Sequence, residues 1–416
     1  MLDSTGTRQL CYVVTVDEIR SIPGRDRVEC AVVGGWTCMV PKGAFQKGDP
    51  GVYFEIDSQV PLDNPVFSFC AKYKGAIKTQ KFKTPEGQFW SQGLLMAATD
   101  FGWFVAYTDE YNYIYDKEGN SYIPGTDSAF LTKKLGVTYY EAEDNKRKAK
   151  TNPDAKINSA LARHPKIAKK FGKAIKKNKF LRFWFLFLFG KKKDNRHWPS
   201  EVRKTDEERI ENRPWTLEDS EKLWIATEKV DGSSSTFHLR RGKGFKKAEY
   251  FVCSRNVVFD TPEKEKNNYY KDTIGNIWVE MSEKYNMQEV LQKLLDERPS
   301  ANWVTVQAET FGAGVQKRDY GMKDHDLRAF NLIYSDCGRV PTLEMKKILD
   351  KVGIPSVPII SEGMTLPGSI EELRAFVHSA PSAIDGGMKE GIVFRSEDGI
   401  DSFKCVDPEF LVKFHG

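Results

Sequence analysis

The chain has 416 residues, enough for two or three domains, and its 40% hydrophobic and 12% aromatic content is typical of a packed globular protein. Its seven cysteines include no C-x-x-C pair and its six histidines form no Cys/His cluster, which argues against a disulfide framework and a structural zinc site. The first ten residues lack the basic and apolar regions of a signal peptide, and no stretch predicts a transmembrane segment. We therefore expect a reduced, cytoplasmic protein.

The net charge of +5 is distributed unevenly along the chain. Between residues 146 and 193, 17 lysines and arginines face a single acidic residue, Asp154, so this segment carries a local excess of 16 positive charges. The rest of the chain is correspondingly acidic. A concentrated basic segment predicts an anionic partner, such as nucleic acid or a membrane surface.

The first 140 residues are predicted to form a small all-β domain. Apolar stretches at 10–16, 28–33, 36–40 and 51–56 are separated by glycine-containing turns, a spacing typical of an antiparallel barrel or sandwich. A tyrosine-rich stretch at 107–122 predicts a hairpin that decorates this domain, without an assignable chemistry.

Basic and aromatic residues alternate within residues 72–83 of this domain. Lysines can neutralise phosphates while rings stack on bases, so the segment is a candidate nucleic-acid surface. The alternative is a solvated strand edge that its lysines protect from pairing. The candidate residues are Lys72, Lys74, Lys78, Lys81 and Lys83.

Residues 141–197 are predicted to be a basic helical and aromatic linker or insertion. Residues 155–177 have helical spacing, which Pro165 interrupts, and 180–189 form an apolar run too short to span a bilayer. The segment could cover a neighbouring domain while its lysines contact phosphates, bind a partner protein, or lie on a membrane surface.

Residues 198–416 are predicted to form a mixed α/β domain. Strands alternate with helices at 342–352, with Thr342 as N-cap, and at 369–378, with a capping box of Ser369 and Glu372.

One stretch of this domain, residues 227–234 (TEKVDGSS), carries a candidate nucleophile. Lys229 follows apolar residues 224–226 and precedes an Asp-Gly turn, so a strand would deliver its amine to the mouth of a pocket. An attacking lysine must lose its proton, which requires a low-polarity site or neighbouring cations. K-x-D-G by itself is also compatible with an ordinary strand end and turn.

The motifs that follow make the pattern specific. CSRN at 253–256, QAETFG at 307–312, LRAFNL at 327–332, KEGIVFR at 389–395 and SFKCV at 402–406 occur in order after Lys229. The series resembles that of the covalent nucleotidyltransferases, the superfamily of ATP-dependent DNA and RNA ligases and mRNA capping enzymes. The residues before 62 resemble the OB-fold module that opens one RNA-ligase branch. The resemblance implies an α+β protein in which an OB-like β-barrel domain, 1–140, precedes a nucleotidyltransferase domain, 198–416.

The resemblance also implies roles for individual residues. Lys229 would form a lysyl-AMP adduct with ATP, and the motif positions around it would bind the nucleotide. Glu228 would meet the adenine edge, Phe330 would stack on adenine, and Glu309 would accept a ribose hydroxyl. The remaining candidates are Arg255 for ribose or phosphate, Glu390 for Mg²⁺ or Mn²⁺, and Lys404 for the α-phosphate.

One position departs from the family pattern. Many relatives carry two lysines in K-x-K spacing in the last motif, whereas this chain has Ser402 two residues before Lys404. Only one lysine of that pair can be carried over.

The expected function is ATP-dependent RNA ligation of 3′-hydroxyl and 5′-phosphate ends, with RNA as partner and a monomeric enzyme. A DNA ligase or capping enzyme is the nearest alternative, but those enzymes place their OB domain after the last motif, and here 12 residues follow Lys404. Two other hypotheses remain. The chain could be a non-catalytic RNA-binding protein with the same fold, or a membrane-surface adaptor built on residues 180–189.

Overall fold

The computed structural model describes residues 8–85, 87–126, 128–140, 165–189, 198–204, 206–242, 247–259 and 275–415. The chain divides into two compact units, one formed by residues 1–139 with 198–416 and the other by 140–197. The predicted N-terminal and C-terminal domains thus pack together in the first unit.

The N-terminal part of the first unit is built from short antiparallel strands. The three-stranded sheet β1-β5-β9 lies at its centre, with the sheets β2-β3-β4, β10-β11-β12, β6-β13 and the hairpin β7-β8. The strands are β1 (Cys11–Thr15), β2 (Glu18–Ser21), β3 (Val28–Val33), β4 (Trp36–Pro41), β5 (Pro50–Phe54), β6 (Ser58–Gln59), β7 (Gln80–Thr84), β8 (Gly87–Ser91), β9 (Leu94–Met96), β10 (Phe104–Ala106), β11 (Tyr113–Tyr115), β12 (Ser121–Tyr122) and β13 (Thr138–Tyr139). Helix α1 (Ser128–Lys134) and 3₁₀ turns at Pro65–Tyr73 and Ala98–Phe101 complete it.

Alternation of apolar residues along these strands fills two cores. Val13, Val52 and Phe54 lie in one, and Trp36 and Tyr53 lie in the other. The second core also contains Val406 and Leu411, from the C-terminal end of the chain. The N-terminal β domain is therefore fixed on the C-terminal part by shared apolar packing.

The second unit contains helix α2 (Pro165–Lys177) and helix α3 (Lys179–Phe189). Of the helix predicted over 155–177, the described part is α2, and its Pro165 suits a first helical turn because it has no N–H to donate. Residues 155–164 and the lysines at 191–193 lie outside the described residues.

The C-terminal part of the first unit has two antiparallel sheets, β21-β14-β22-β23 and β17-β16-β15-β18-β19-β20. Helices α4, α5 and α6 pack on the six-stranded sheet, and α7 packs on the four-stranded one. The strands are β14 (Trp224–Lys229), β15 (Ser233–Arg240), β16 (Glu249–Ser254), β17 (Val258–Phe259), β18 (Trp303–Gly312), β19 (His325–Tyr334), β20 (Gly338–Arg339), β21 (Ile359–Met364), β22 (Gly391–Ser396) and β23 (Ser402–Val406). The helices are α4 (Ile277–Lys284), α5 (Met287–Asp296), α6 (Thr342–Lys351), α7 (Ile370–Ser379) and α8 (Pro408–Phe410), with short turns at Ile210–Asn212, Pro214–Glu218 and Leu411–His415.

The two predicted helix caps have different outcomes. The cap of α7 is confirmed, because the Glu372 N–H donates to Ser369 Oγ at 3.2 Å. The cap of α6 is wrong: Pro341 occupies the N-cap and Thr342 is the first helical residue. A threonine ahead of an apolar helical pattern resembles a cap, but proline's fixed φ suits the extended conformation that a cap needs.

Candidate active site

Lys229 lies where the chain passes from one sheet to the other. It is the last residue of β14 and is paired with Gly391, the first residue of β22 in the four-stranded sheet. After a short turn, the chain enters β15 of the six-stranded sheet at Ser233. The strand predicted to end at Lys229 is therefore confirmed, and both sheets can contribute side chains around the amine.

The turn after Lys229 requires its glycine. A Cβ on Gly232 would lie 2.3 Å from the Thr310 carbonyl oxygen and 3.0 Å from Glu309 Cγ, which no other residue could tolerate without displacing β18. The turn is also fixed from outside, since the Asp231 N–H donates to the Tyr320 hydroxyl at 2.7 Å. Lys229 and Glu309 are brought together by this close approach.

Glu390 forms an ion pair with the candidate nucleophile. Lys229 Nζ lies 2.6 Å from Glu390 Oε2, and 26% of the lysine side chain remains exposed. Burial acts to lower the pKa of Lys229, but the carboxylates of Glu390, Glu309 and Asp231 outweigh it and raise that pKa above its ordinary value. Without substrate, the amine is therefore held in its protonated form.

The pKa of Glu309 is also raised, with burial as its main cause. Burial, followed by the charges of Glu390 and Asp231, raises its pKa to about 8 despite the nearby cations Lys229 and Arg255. Three carboxyl groups thus share a confined space with one lysine. Added positive charge is the change that would relieve their mutual repulsion.

Lys404 lies on β23 in a cluster of buried charges. Its Nζ is 2.6 Å from Asp206 Oδ1, and Arg255 Nη2 and Arg8 Nη1 approach Asp206 Oδ2 at 3.2 and 3.8 Å. Burial lowers the pKa of Lys404 to about 8, opposed by Asp206 and assisted by Arg8, Arg209 and Lys229. Asp206 therefore holds together two of the predicted phosphate ligands, Lys404 and Arg255.

Arg209 is a buried cation that the sequence analysis did not single out. It is 4% exposed, forms a β-bridge with Lys404, and reaches Asp57 Oδ2 at 3.6 Å. Its Nε and Nη1 atoms have no hydrogen-bond partner among the described residues. A buried guanidinium with unused donors is suited to an anion that the protein itself does not provide.

Phe330 and Glu228 have different surroundings. Phe330 is half-buried on β19 and packs against the cluster that includes Val230 and Tyr320, so part of its ring can meet a ligand. Glu228 is 1% exposed, and its two carboxylate oxygens accept from Ser382 Oγ at 2.5 Å and from the Ala383 N–H at 2.7 Å. The structure places the Glu228 side chain against the loop before Glu390.

Ser402, where many relatives have a lysine, also faces this region. Residues two apart on a strand share a face, so Ser402 and Lys404 point to the same side of β23. The Ser402 hydroxyl donates to Glu207 Oε2 at 2.5 Å, and Arg395 Nη2 approaches Glu207 at 3.1 Å. The Arg395–Glu207 ion pair thus provides Ser402 with a hydrogen-bond acceptor, and Arg395 supplies a cation next to the serine.

The five candidate nucleic-acid lysines lie in three surroundings. Lys72 and Lys74 are exposed at the end of a 3₁₀ turn, with Lys72 over the Tyr73 ring. Lys78 donates to the His415 carbonyl oxygen at 3.2 Å, and the His415 ring itself approaches Asp231. Lys81 and Lys83 share one face of β7, where Lys81 Nζ pairs with Glu409 at 3.2 Å. Lys78 thus contacts His415, the residue whose ring approaches Asp231, whereas Lys81 contacts the C-terminal segment at Glu409.

A second buried polar cluster joins the two parts of the first unit. Asn212 Nδ2 donates to Glu55 Oε1 at 2.9 Å and to Glu208 Oε1 at 2.6 Å, and Asn212 Oδ1 accepts from Trp36 Nε1 at 2.6 Å. Glu55 also accepts from Arg8 at 2.9 Å. Asn212 thereby ties the N-terminal β domain to the segment that carries Asp206 and Arg209.

The residues present fit a divalent cation that takes most of its ligands from phosphate and water. Among the described residues, no group of three or more His, Cys, Asp or Glu side chains forms a preformed metal site. Glu390, with Glu309 and Asp231 nearby, supplies the hard carboxylate oxygens that Mg²⁺ and Mn²⁺ prefer.

Among the described residues, no helix is long and apolar enough to cross a membrane.

Two family models match parts of the chain. A family model described as RNA ligase matches residues 222–415, and a model described as an OB-fold domain matches residues 10–97. No curated protein sequence matches the chain.

Solved structures match over nearly the full length. The Naegleria gruberi RNA ligase with PPi is 24% identical, with a TM-score of 0.67 and coverage of 98% of this chain and 99% of that one. A point variant of the same ligase with ATP and Mn is 25% identical, with a TM-score of 0.67 and coverage of 99% of each chain. The predicted α+β fold with an N-terminal OB domain is confirmed. Residues 222–415 form an RNA ligase family domain, and an OB-fold domain precedes it in the chain.

Proposed function

We propose that this chain is an ATP-dependent RNA ligase that seals 3′-hydroxyl and 5′-phosphate ends through a lysyl-AMP intermediate on Lys229. The observation that carries the proposal is the convergence on Lys229 of Glu390 at 2.6 Å, Glu309 across the Gly232 turn, and the Lys404 cluster. Glu309 lies on β18 of the six-stranded sheet and Lys404 on β23 of the four-stranded sheet, and Glu390 directly precedes β22. A lysine that merely ends a strand would have no reason to be surrounded by these charged groups.

The first step would be attack of Lys229 Nζ on the α-phosphorus of ATP. A phosphorus–nitrogen bond forms, the bond to the β-phosphate oxygen breaks, and pyrophosphate leaves after the ammonium has lost its proton. Lys404 and Arg255 are the cations assigned to the phosphates and ribose, and Arg209 adds unused donors beside Lys404. Phe330 would stack on the adenine and Glu309 would accept a ribose hydroxyl.

The later steps would reuse the same site. The 5′-phosphate of RNA attacks the lysyl-AMP, which breaks the phosphorus–nitrogen bond and forms an AMP-capped end. The 3′-hydroxyl then attacks the RNA phosphorus, so AMP leaves and a phosphodiester forms. Each step concentrates charge on phosphate oxygens, and Lys404 and Arg255, which share Asp206 as a partner, would stabilise that charge.

A divalent cation bound at Glu390 would neutralise phosphate charge. Glu390 also acts directly on Lys229: the ion pair holds the amine in place, and the negative charge of Glu390 raises the pKa of that lysine. Occupation of the carboxylate by a cation would therefore remove the interaction that keeps the nucleophile protonated. Glu228 would act through the Ser382–Ala383 loop, or through its backbone, at the adenine edge.

RNA is the proposed nucleic-acid partner, with a monomer as the working unit inside the cell. Lys78 is the basic residue of the OB domain best placed to contact it, since it reaches the His415 carbonyl oxygen beside Asp231. Lys72, Lys74, Lys81 and Lys83 extend the candidate surface over the same domain. The resemblance further implies a nicked duplex with RNA on the 3′-hydroxyl side.

Sealing of matched nicked duplexes tests the substrate assignment. The purified chain should join a nick whose 3′-hydroxyl strand ends in ribonucleotides and fail when those are deoxyribonucleotides. Equal sealing of both would favour a DNA ligase. Formation of lysyl-AMP without sealing of either would contradict the proposed end-joining while leaving the nucleotidyltransferase chemistry in place.

A further inference from the structure

The second compact unit carries exposed chemistry that the ligase reaction does not use. Its helices α2 and α3 meet at Asn178, whose Oδ1 accepts the Phe180 N–H at 2.9 Å and so caps α3. None of the residues assigned above to ATP or RNA ends lies in α2 or α3. The two helices differ sharply in composition.

Helix α2 presents a cationic face. Residues 165–189 contain eight lysines and arginines and no aspartate or glutamate. Ile175 and Gly172 are buried on one side of α2, while the opposite side is lysine-rich. The exposed lysines of α2 are Lys169, Lys170, Lys173, Lys176 and Lys177.

Helix α3 presents an aromatic face instead. Phe180 is 68% exposed and Phe183 is 64% exposed, and Trp184 lies beside both with ring centroids 6.2 Å away in each case. Residues three and four apart share one side of a helix, so these rings form a single patch. Leu181 is also exposed, whereas Phe185 is buried. Exposed rings in contact with one another mark a surface that binds something apolar.

Six of the eight cations lie on α2 and two, Lys179 and Arg182, lie on α3. One ring of α2, Phe171, is also exposed, with Lys170 Nζ 5.4 Å from its centroid. A run of exposed rings next to a strongly cationic helix suits a lipid interface, where lysines meet headgroup phosphates and rings enter the acyl boundary. A single-stranded nucleic acid, whose bases stack on rings while lysines neutralise its phosphates, is the other occupant that the test below separates from lipid. With 11 residues, α3 is about 16 Å long, half the ~30 Å needed to span a bilayer.

We propose that α2 and α3 dock on an anionic lipid surface, with the rings of α3 inserted at the interface and the lysines of α2 against the headgroups. Eight cations without an acid supply the charge complementarity. The residues of α2 and α3 are distinct from those assigned to the Lys229 site, so the proposal does not depend on ligase activity.

Sedimentation of the full chain with phosphatidylcholine vesicles, with and without phosphatidylserine, tests this docking. We expect binding to the mixed vesicles, weakened by salt, and little binding to phosphatidylcholine alone. Phe180→Ser with Phe183→Ser should lower the partition coefficient at least ~10-fold. Lys170→Gln or Lys173→Gln should lower it about 5-fold. Tyr107→Ser removes a ring that is 68% exposed in the other unit and should have no effect.

Two outcomes would overturn the proposal. Failure of the wild-type chain to sediment with mixed vesicles excludes lipid docking. Unchanged vesicle binding by the phenylalanine variant shows that the rings do not insert; if that variant also loses affinity for an RNA oligonucleotide, the surface binds nucleic acid. Lysyl-AMP formation, measured on every variant, shows that the first unit remains folded.

Discussion

Lys229 Nζ lies 2.6 Å from Glu390 Oε2, so the candidate nucleophile is paired with the candidate metal ligand. The two functions oppose each other in the free enzyme, because the carboxylate favours the protonated amine. A cation on Glu390 would resolve this opposition at the moment when ATP is bound. The ion pair would thus couple metal binding at Glu390 to activation of Lys229.

Glu390→Gln should separate these effects. The variant should have a lower pKa at Lys229, because burial still disfavours the ammonium while the largest opposing charge is gone. An amine-selective reagent should therefore modify Lys229 at lower pH in the variant than in wild type, with the modified peptide identified by mass spectrometry. Lysyl-AMP formation should nevertheless fall ~100-fold or more, because a ligand for phosphate-bound cations is lost.

The direction in which the Lys229 pKa changes decides whether this prediction holds. A Lys229 pKa that is unchanged or higher in Glu390→Gln would contradict the coupling. Glu397→Gln, on the loop after β22, serves as the matched control and should leave both measurements unchanged.

Glu309→Gln should increase stability while it impairs nucleotide binding. The carboxyl group has a pKa of about 8 in the folded protein and an ordinary value when unfolded, so the folded state binds more protons between those values. Wild-type stability should therefore fall as pH rises from about 4.5 to about 8, and the variant should lack this part of the decline. At pH 8, denaturant unfolding should show the variant more stable by ~1 kcal/mol or more. A variant that is less stable at pH 8 would contradict the assignment.

Lys404 should make ATP affinity depend on alkaline pH. Its pKa is lowered to about 8, so the free enzyme loses this charge as pH rises through that value, well before an ordinary lysine. Affinity for a non-hydrolysable ATP analogue, measured calorimetrically, should decrease from pH 7 to 9. Lys404→Arg keeps its charge over this range and should flatten the decrease. An identical pH dependence in both proteins would show that Lys404 does not titrate against the nucleotide.

Tyr320→Phe should weaken the turn that positions Lys229. The change removes the acceptor of the buried Asp231 N–H, which should cost about 1–2 kcal/mol of stability. Lysyl-AMP formation at saturating ATP should slow ~10-fold, because the nucleophile is no longer held in a single orientation. Tyr107→Phe removes an exposed hydroxyl as a control. A normal rate in Tyr320→Phe would mean that packing alone positions the turn.

Asn212→Ala should loosen the OB domain from the ligase domain. It leaves Glu55, Glu208 and Trp36 without one partner each, a loss of about 3 kcal/mol. Calorimetry should resolve unfolding of the OB domain ahead of the rest, whereas wild type should unfold as one unit. A single transition in both proteins would show that apolar packing around Val406 and Leu411 is sufficient.

Features that depend on local sequence pattern could be predicted. The apolar residues before the Asp-Gly turn predicted that Lys229 ends a strand, and the order of the motifs predicted that Glu309, Glu390 and Lys404 lie near it. The strand β2 and the Pro341 cap were missed, because short polar strands and caps give weak local signals.

Residues whose importance depends on distant contacts could not be predicted in this way. Asp206 meets Lys404, 198 positions later in the chain, and Asn212 meets Glu55, 157 positions earlier. The partners of Asp206 and Arg209 are set by how β23 packs on their segment, and no pattern within residues 206–209 reveals them.

Covalent labelling with α-labelled ATP tests the central claim most directly. In the presence of Mg²⁺ or Mn²⁺, wild type and Lys346→Ala, which alters a half-buried lysine of α6, should retain an acid-stable label through denaturing electrophoresis, and Lys229→Ala should not. Label on Lys229→Ala would place the nucleophile elsewhere. No label on wild type, once prior adenylylation has been excluded by mass spectrometry, would contradict a ligase that works through Lys229 and favour a non-catalytic RNA-binding protein.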